Sequence, residues 1–181
     1  LAWPEEGKGP GMIRLLLANL GDSRGLLLRP SSETSGDSSA KLSLEVVGET
    51  SDHSPDAPEE KRRILEAGGT VEKYPGSRCS VLRIDGSLGC SRALGDFRFK
   101  EDAALLPHRQ KVSTVPDVYE FGCERGDVVV LGCDGVFDVL TSIQVAAIVS
   151  QVLETSPRNP GAAASAVVEA ALHDPRQQDN V

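Results

Sequence analysis

Residues 128–139 read Val-Val-Val-Leu-Gly-Cys-Asp-Gly-Val-Phe-Asp-Val, and this stretch decides the fold. Val128 to Leu131 is the most strongly β-branched run in the chain, so it reads as a buried central strand. The strand ends at Asp134, and Gly135 lets the backbone turn sharply behind it. A second carboxylate, Asp138, follows four residues later. If the turn is helix-like, the pair shares one face. Two neighbouring carboxylates repel unless a cation lies between them. Mg²⁺ and Mn²⁺ favour such oxygen ligands. A turn-capping Asp134 and a solvated Asp138 satisfy this segment equally well when it is taken alone.

Downstream, Thr141-Ser-Ile-Gln144 fits a capping box. Ile143, Ala147, Ile148 and Val152 are read as the apolar face of the helix it opens. Asn159-Pro160 starts a second helix that runs through Ala171. Upstream, the apolar runs Ile13–Asn19 and Leu26–Arg29 flank Leu-Gly-Asp22-Ser-Arg-Gly and read as a β-hairpin. Leu42 to Val47 is a third strand. Residues 31–41 (SSETSGDSSAK) read as a flexible surface insertion, and residues 1–11 as an irregular leader. Pro58 begins a helix with Asp56 as its cap and Glu59 and Glu60 at its positive end; Gly68 and Gly69 stop it. Cys79 to Ile84 and Val118 to Phe121 are further strands, with turns at Asp85-Gly86 and Glu124-Arg125-Gly126. Strands in two blocks with segregated helices predict an α+β fold.

The chain has 181 residues, enough for one domain. Its 19 Lys and Arg against 27 Asp and Glu give a net charge of −8, which argues against a nucleic-acid-binding face. No apolar run approaches the ~20 residues of a membrane span, and nothing reads as a secretory signal. The start at Leu1 and the end at Val181 suggest a fragment. The four cysteines are scattered without a C-x-x-C pair, as expected of reduced thiols in a cytoplasmic or nuclear protein.

Other acidic residues also sit in turns: Asp22, Asp96 in Ser91-Arg92-Ala-Leu-Gly-Asp96, and Asp179 before Asn180. Each alone is ordinary turn chemistry. Their order is not. GDSR at 21–24, SDH at 51–53, EAGG at 66–69, GSLGCSRALGD at 86–96, VLGCDGVFDV at 130–139 and DN at 179–180 run in one series. That series resembles the metal-dependent Ser/Thr protein phosphatases of type 2C, from Asn19 onward.

The resemblance implies two antiparallel sheets packed as a β-sandwich flanked by helices, incomplete at the N-terminus and at the C-terminus. Residues 1–181 would form a partial phosphatase domain. It implies two Mg²⁺ or Mn²⁺ ions, a third and weaker one in some members, and a metal-held water that attacks phosphorus directly. Asp134 and Asp179 match the family's metal-binding Asp residues. Asp138 and Asp22 match carboxylates that help hold the weaker metal. Arg92, Asp96 and Asn180 match recurrent positions expected to give structural support, and His53 a turn or core contact, with catalysis as the lesser alternative. No catalytic residue outside the metal ligands is assigned. The family's D-G-H-G-G block, which supplies a bridging Asp and a His considered a general acid, has no counterpart, since no DGH occurs in these residues. The family's phosphate-gripping Arg is absent as well. These 181 residues alone are therefore expected to hydrolyse phosphoesters weakly. Expected substrates are phosphoserine and phosphothreonine proteins, with no nucleic acid, no membrane and a monomeric state. The alternative is a catalytically incomplete phosphatase-like domain that acts in binding or regulation.

Overall fold

The computed structural model describes residues 2–4, 13–31, 41–73 and 82–177. These fall into two compact units. The insertion expected at 31–41 lies outside the described residues except at its ends, and so does the first half of the strand expected over Cys79 to Ile84.

The first unit is Leu1–Leu17, Ser23–Thr50 and Tyr119–Val181. Its strands are β1 (Ala2–Pro4), β2 (Ile13–Asn19), β3 (Arg24–Pro30) and β4 (Leu44–Glu49). In the second unit follow α1 (Pro58–Glu66), β5 (Val71–Lys73) and β6 (Leu82–Ile84). The chain continues with β7 (Asp117–Cys123), β8 (Val128–Gly132), α2 (Asp134–Phe137), α3 (Ser142–Thr155) and α4 (Pro160–Leu172). One sheet has the order β1-β2-β7, a second β4-β3-β8, and β5 pairs with β6 alone. The fold is therefore α+β, as expected.

In the second sheet β3 is central and antiparallel to both neighbours, with Leu26 opposite Val130 and Glu49. A bulge at Leu27/Leu28 shifts the β4 register. Leu26 and Leu28 point to a core shared with Val136, Val145, Val149 and Val167, which the helices supply. The opposite face meets the other sheet at two glycines. A Cβ on Gly25 would lie 2.9 Å from Leu17 of β2, and one on Gly48 would lie 2.5 Å from the Phe121 ring of β7. Missing side chains at 25 and 48 are what let the two sheets close on each other as a sandwich.

Several local expectations change. Val128–Leu131 is the outer strand of its described sheet, with Val129 43% and Leu131 73% exposed. The buried centre is β3, whose Leu26, Leu27 and Leu28 are all but excluded from solvent. β2 and β3 are not a hairpin, because the turn between them carries the chain from one sheet to the other. Asp56 does not cap α1; the N-cap is Ala57, and Asp56 accepts from the Ser54 hydroxyl instead. The capping box of α3 forms as read, but Ile143 faces solvent and the buried face is Val145, Ala146, Val149 and Leu153. The glycine stop also forms. Gly68, at φ +73°, donates to Leu65 O, and Gly69 to Ile64 O. The Asp85-Gly86 turn has both residues at positive φ, as a tight hairpin turn requires.

Candidate functional site: two acidic turns and a buried ion-pair network

β8 delivers Asp134 to the first position of α2. The Asp134 carboxylate accepts from Gly135 N at 2.8 Å, so its rotamer is fixed by the turn that follows. Asp138 N donates to Asp134 O at 2.8 Å, which stands the two acids one helical turn apart. Gly132, just before this turn, lies under the Phe137 ring, where a Cβ would come within 2.7 Å. The Arg24 guanidinium stacks on the same ring: its Cζ is 4.7 Å from the Phe137 centroid, and Nη1 donates to Ser142 Oγ. Ser142 in turn donates to Glu49 at 2.7 Å.

The same turn receives the end of the described chain. Gln177 Nε2 donates to Gly135 O at 2.5 Å, and Arg176 donates to Val139 O. Arg176 also grips Asp174 and pulls that carboxyl down to about 2. Asp179, two residues beyond Gln177, lies outside the described residues.

The second unit, Ala18–Asp22 and Ser51–Val118, holds Asp22 in a half-buried turn after Gly21, whose φ is +119°. Around it is a network that the sequence did not disclose. Glu60 is 4% exposed. Its Oε1 accepts from Arg92 Nε at 3.0 Å and Nη2 at 2.7 Å. Its Oε2 faces Arg63 Nη1 at 2.7 Å and the Ser91 hydroxyl at 2.5 Å. Burial opposes the Glu60 charge, but the hydrogen bonds from Arg92, Ser91 and Arg63 prevail and hold the carboxyl below its usual range. Arg92 also donates to Asp117 Oδ1 at 2.6 Å, and Asp117 Oδ2 lies 3.2 Å from His53 Nε2. Burial likewise works against the Asp117 charge, and the bonds from His53 and Arg92 outweigh it. Arg92 thus gives the structural support expected of it. Glu60 was legible in principle. It stands one turn before Ile64, the apolar residue of α1 that is fully buried, so it lies on the inward stripe of an otherwise charged helix.

Among the described residues, no three His, Cys, Asp or Glu side chains form a metal-binding group. Asp134 and Asp138 are brought onto one turn, and Asp22 belongs to the other unit. The donor chemistry fits a hard cation: both acids of the α2 turn offer carboxylate oxygens, one of them already oriented by a backbone N–H. Cys90, Cys123 and Cys133 are free thiols, and no described helix is long and apolar enough to cross a membrane.

Fold and motif order together define a phosphatase-type α+β domain. A solved phosphatase from Toxoplasma gondii superposes with a TM-score of 0.76 at 32% identity, covering 93% of this chain and 46% of that one. A serine-threonine phosphatase 2C from the same organism gives 0.63 at 29% identity, covering 91% and 49%. The family model described as Protein phosphatase 2C matches residues 7–181, and the chain belongs to that family. Protein phosphatase 1B of Bos taurus is 37% identical over 139 residues, which is 76% of this chain and 24% of that protein. The chain therefore spans about a quarter of that relative and less than half of either solved structure.

Proposed function

We propose that this chain is the metal-binding part of a phosphatase that removes phosphate from phosphoserine and phosphothreonine in proteins. Asp134 and Asp179 are the principal ligands of Mg²⁺ or Mn²⁺, and Asp138 and Asp22 serve a weaker ion. When bound, the ions supply a water of lowered pKa and neutralise the phosphoryl oxygens. The chain's own work is to present fixed carboxylates. Asp134 is held by Gly135 N–H and so spends little reorganisation on binding.

One observation carries the reading. Gln177, the last described residue, is hydrogen-bonded to Gly135 inside the Asp134 turn across 42 positions of sequence. The acids of the α2 turn and the segment that leads on to Asp179 are anchored to one another by that bond, which supports a cation shared at this turn.

The test is a Mn²⁺ titration of the purified chain, followed by the electron paramagnetic resonance of free Mn²⁺. It is run together with phosphate release from a phosphothreonine peptide. Asp134→Ala should weaken Mn²⁺ binding at least tenfold and remove whatever metal-dependent release the chain has. Mn²⁺ affinity unchanged by Asp134→Ala, or turnover that survives it, overturns the reading.

A further inference from the structure

His53 is 3% exposed, and every polar atom of this residue is engaged within the second unit. Its Nδ1 lies 3.0 Å from Gly21 N. A backbone N–H can only donate, so Nδ1 must offer its lone pair, and the ring proton sits on Nε2. Nε2 then donates to Asp117 Oδ2 at 3.2 Å, the partner that fixes this tautomer. The backbone of residue 53 grips the same glycine from the other side. His53 N donates to Gly21 O at 2.9 Å, and His53 O accepts from Ser91 N at 2.8 Å. Asn19 Nδ2 adds a bond to Gly21 O at 3.3 Å.

Three sequence blocks, GDSR, SDH and SRALGD, thus meet at His53, the first at its ring and backbone and the last at its carbonyl. The residue it holds is a glycine at φ +119°, a conformation open to wide excursions without such a clamp. The next residue is Asp22. With the lone pair given to Gly21 and the ring proton to Asp117, His53 has nothing left with which to shuttle protons.

We propose that His53 is a positioning residue: as a neutral ring protonated on Nε2, it sets the backbone of the Gly21 turn and through it the direction of the Asp22 carboxylate. This rests on the reading of Asp22 as a metal ligand. A merely space-filling histidine would not distinguish its two nitrogens, and this one does. His53→Asn keeps an acceptor near Nδ1 and loses the bond to Asp117. His53→Gln keeps a donor near Nε2 and releases Gly21.

The first measurement needs no variant. In ¹⁵N-labelled wild-type chain, Gly21 N and His53 Nδ1 should show scalar coupling across the N–H···N bond; a ring protonated on Nδ1 without that coupling overturns the proposal. The second is the Mn²⁺ titration with Asp22→Ala defining the Asp22-dependent site. His53→Gln should weaken that site roughly tenfold, the scale set by partners that orient metal ligands, while His53→Asn keeps it near the wild-type value. If Asp22→Ala alters nothing, the ligand reading fails and takes this inference with it. If Asp22→Ala weakens the site while His53→Gln does not, or while His53→Asn weakens it equally, only the positioning role is refuted.

Discussion

Glu60 is the residue on which the second unit's polar interior turns. Its two oxygens answer two guanidiniums and a hydroxyl while it is almost wholly excluded from water. Replacing it by Gln leaves Arg63 and Arg92, each with a side chain 14% exposed, short of their shared counter-charge. Removing one partner of a buried pair typically costs about 3–5 kcal/mol. Asp117 and the carbonyls of Ser91, Gln110 and Val115 still receive the arginines, so we expect the lower end of that range. Urea unfolding at pH 7 measures it. The pH dependence follows from the direction of the shift. The folded-state pKa of Glu60 lies below its unfolded value of about 4.3, so the folded state keeps its charge where the unfolded chain has begun to take up a proton. The stability this contributes is complete above roughly pH 5 and is lost as pH falls through the folded pKa. The gap between wild type and Glu60→Gln should therefore narrow steadily below pH 5. A gap that stays constant down to pH 3 would contradict the assignment.

At the scale of elements, the two glycines that admit the opposite sheet are the sensitive points. Gly48→Ala puts a methyl 2.5 Å from the Phe121 ring, closer than any real contact, and Phe121 is itself stacked on Tyr119. Overpacking of this kind costs about 1–3 kcal/mol. Phe121→Leu in the same chain should recover part of the loss, and a double-mutant cycle on melting temperature detects that coupling. Additive effects would mean the sheets do not meet there. Which parts of this layer were legible follows from what each signal encodes. Caps and turns are local chemistry, so the α3 capping box and the Gly68-Gly69 stop could be read directly from a few residues. The rotation of α3 could not. Apolar residues occupy nearly its whole circumference, and periodicity leaves the phase open. Two serines choose it: Ser150 accepts from Leu44 N at 2.9 Å, and Ser142 donates to Glu49. Strand order was equally hidden. Val128–Leu131 and Leu26–Leu28 are both apolar runs, and only the tertiary pairing makes the second central. Among the candidate ligands, Asp134 and Asp138 were legible because four residues of helix suffice to relate them. Glu60 and Asp117 meet across 57 residues through Arg92, and no local pattern announces that.

For the whole molecule, charge and metal binding pull on the same quantity. A chain of net charge −8 repels itself, so any cation raises its stability somewhat by screening. A specific site adds a different contribution, because an ion that binds only the folded state stabilises it by RT ln(1 + [L]/Kd). At ten times Kd this is about 1.4 kcal/mol, which for a chain of this size corresponds to roughly 3–6 °C in Tm. The two effects separate cleanly. Screening depends on ionic strength and should be matched by NaCl, and it should be nearly indifferent to a single substitution. Site binding should grow with the logarithm of Mn²⁺ concentration at fixed ionic strength and vanish in Asp134→Ala. Thermal unfolding of both proteins, with Mn²⁺ varied and ionic strength held constant by NaCl, reads the difference. A Tm that rises equally in wild type and Asp134→Ala assigns the effect to screening and removes the case for a cation held at the α2 turn.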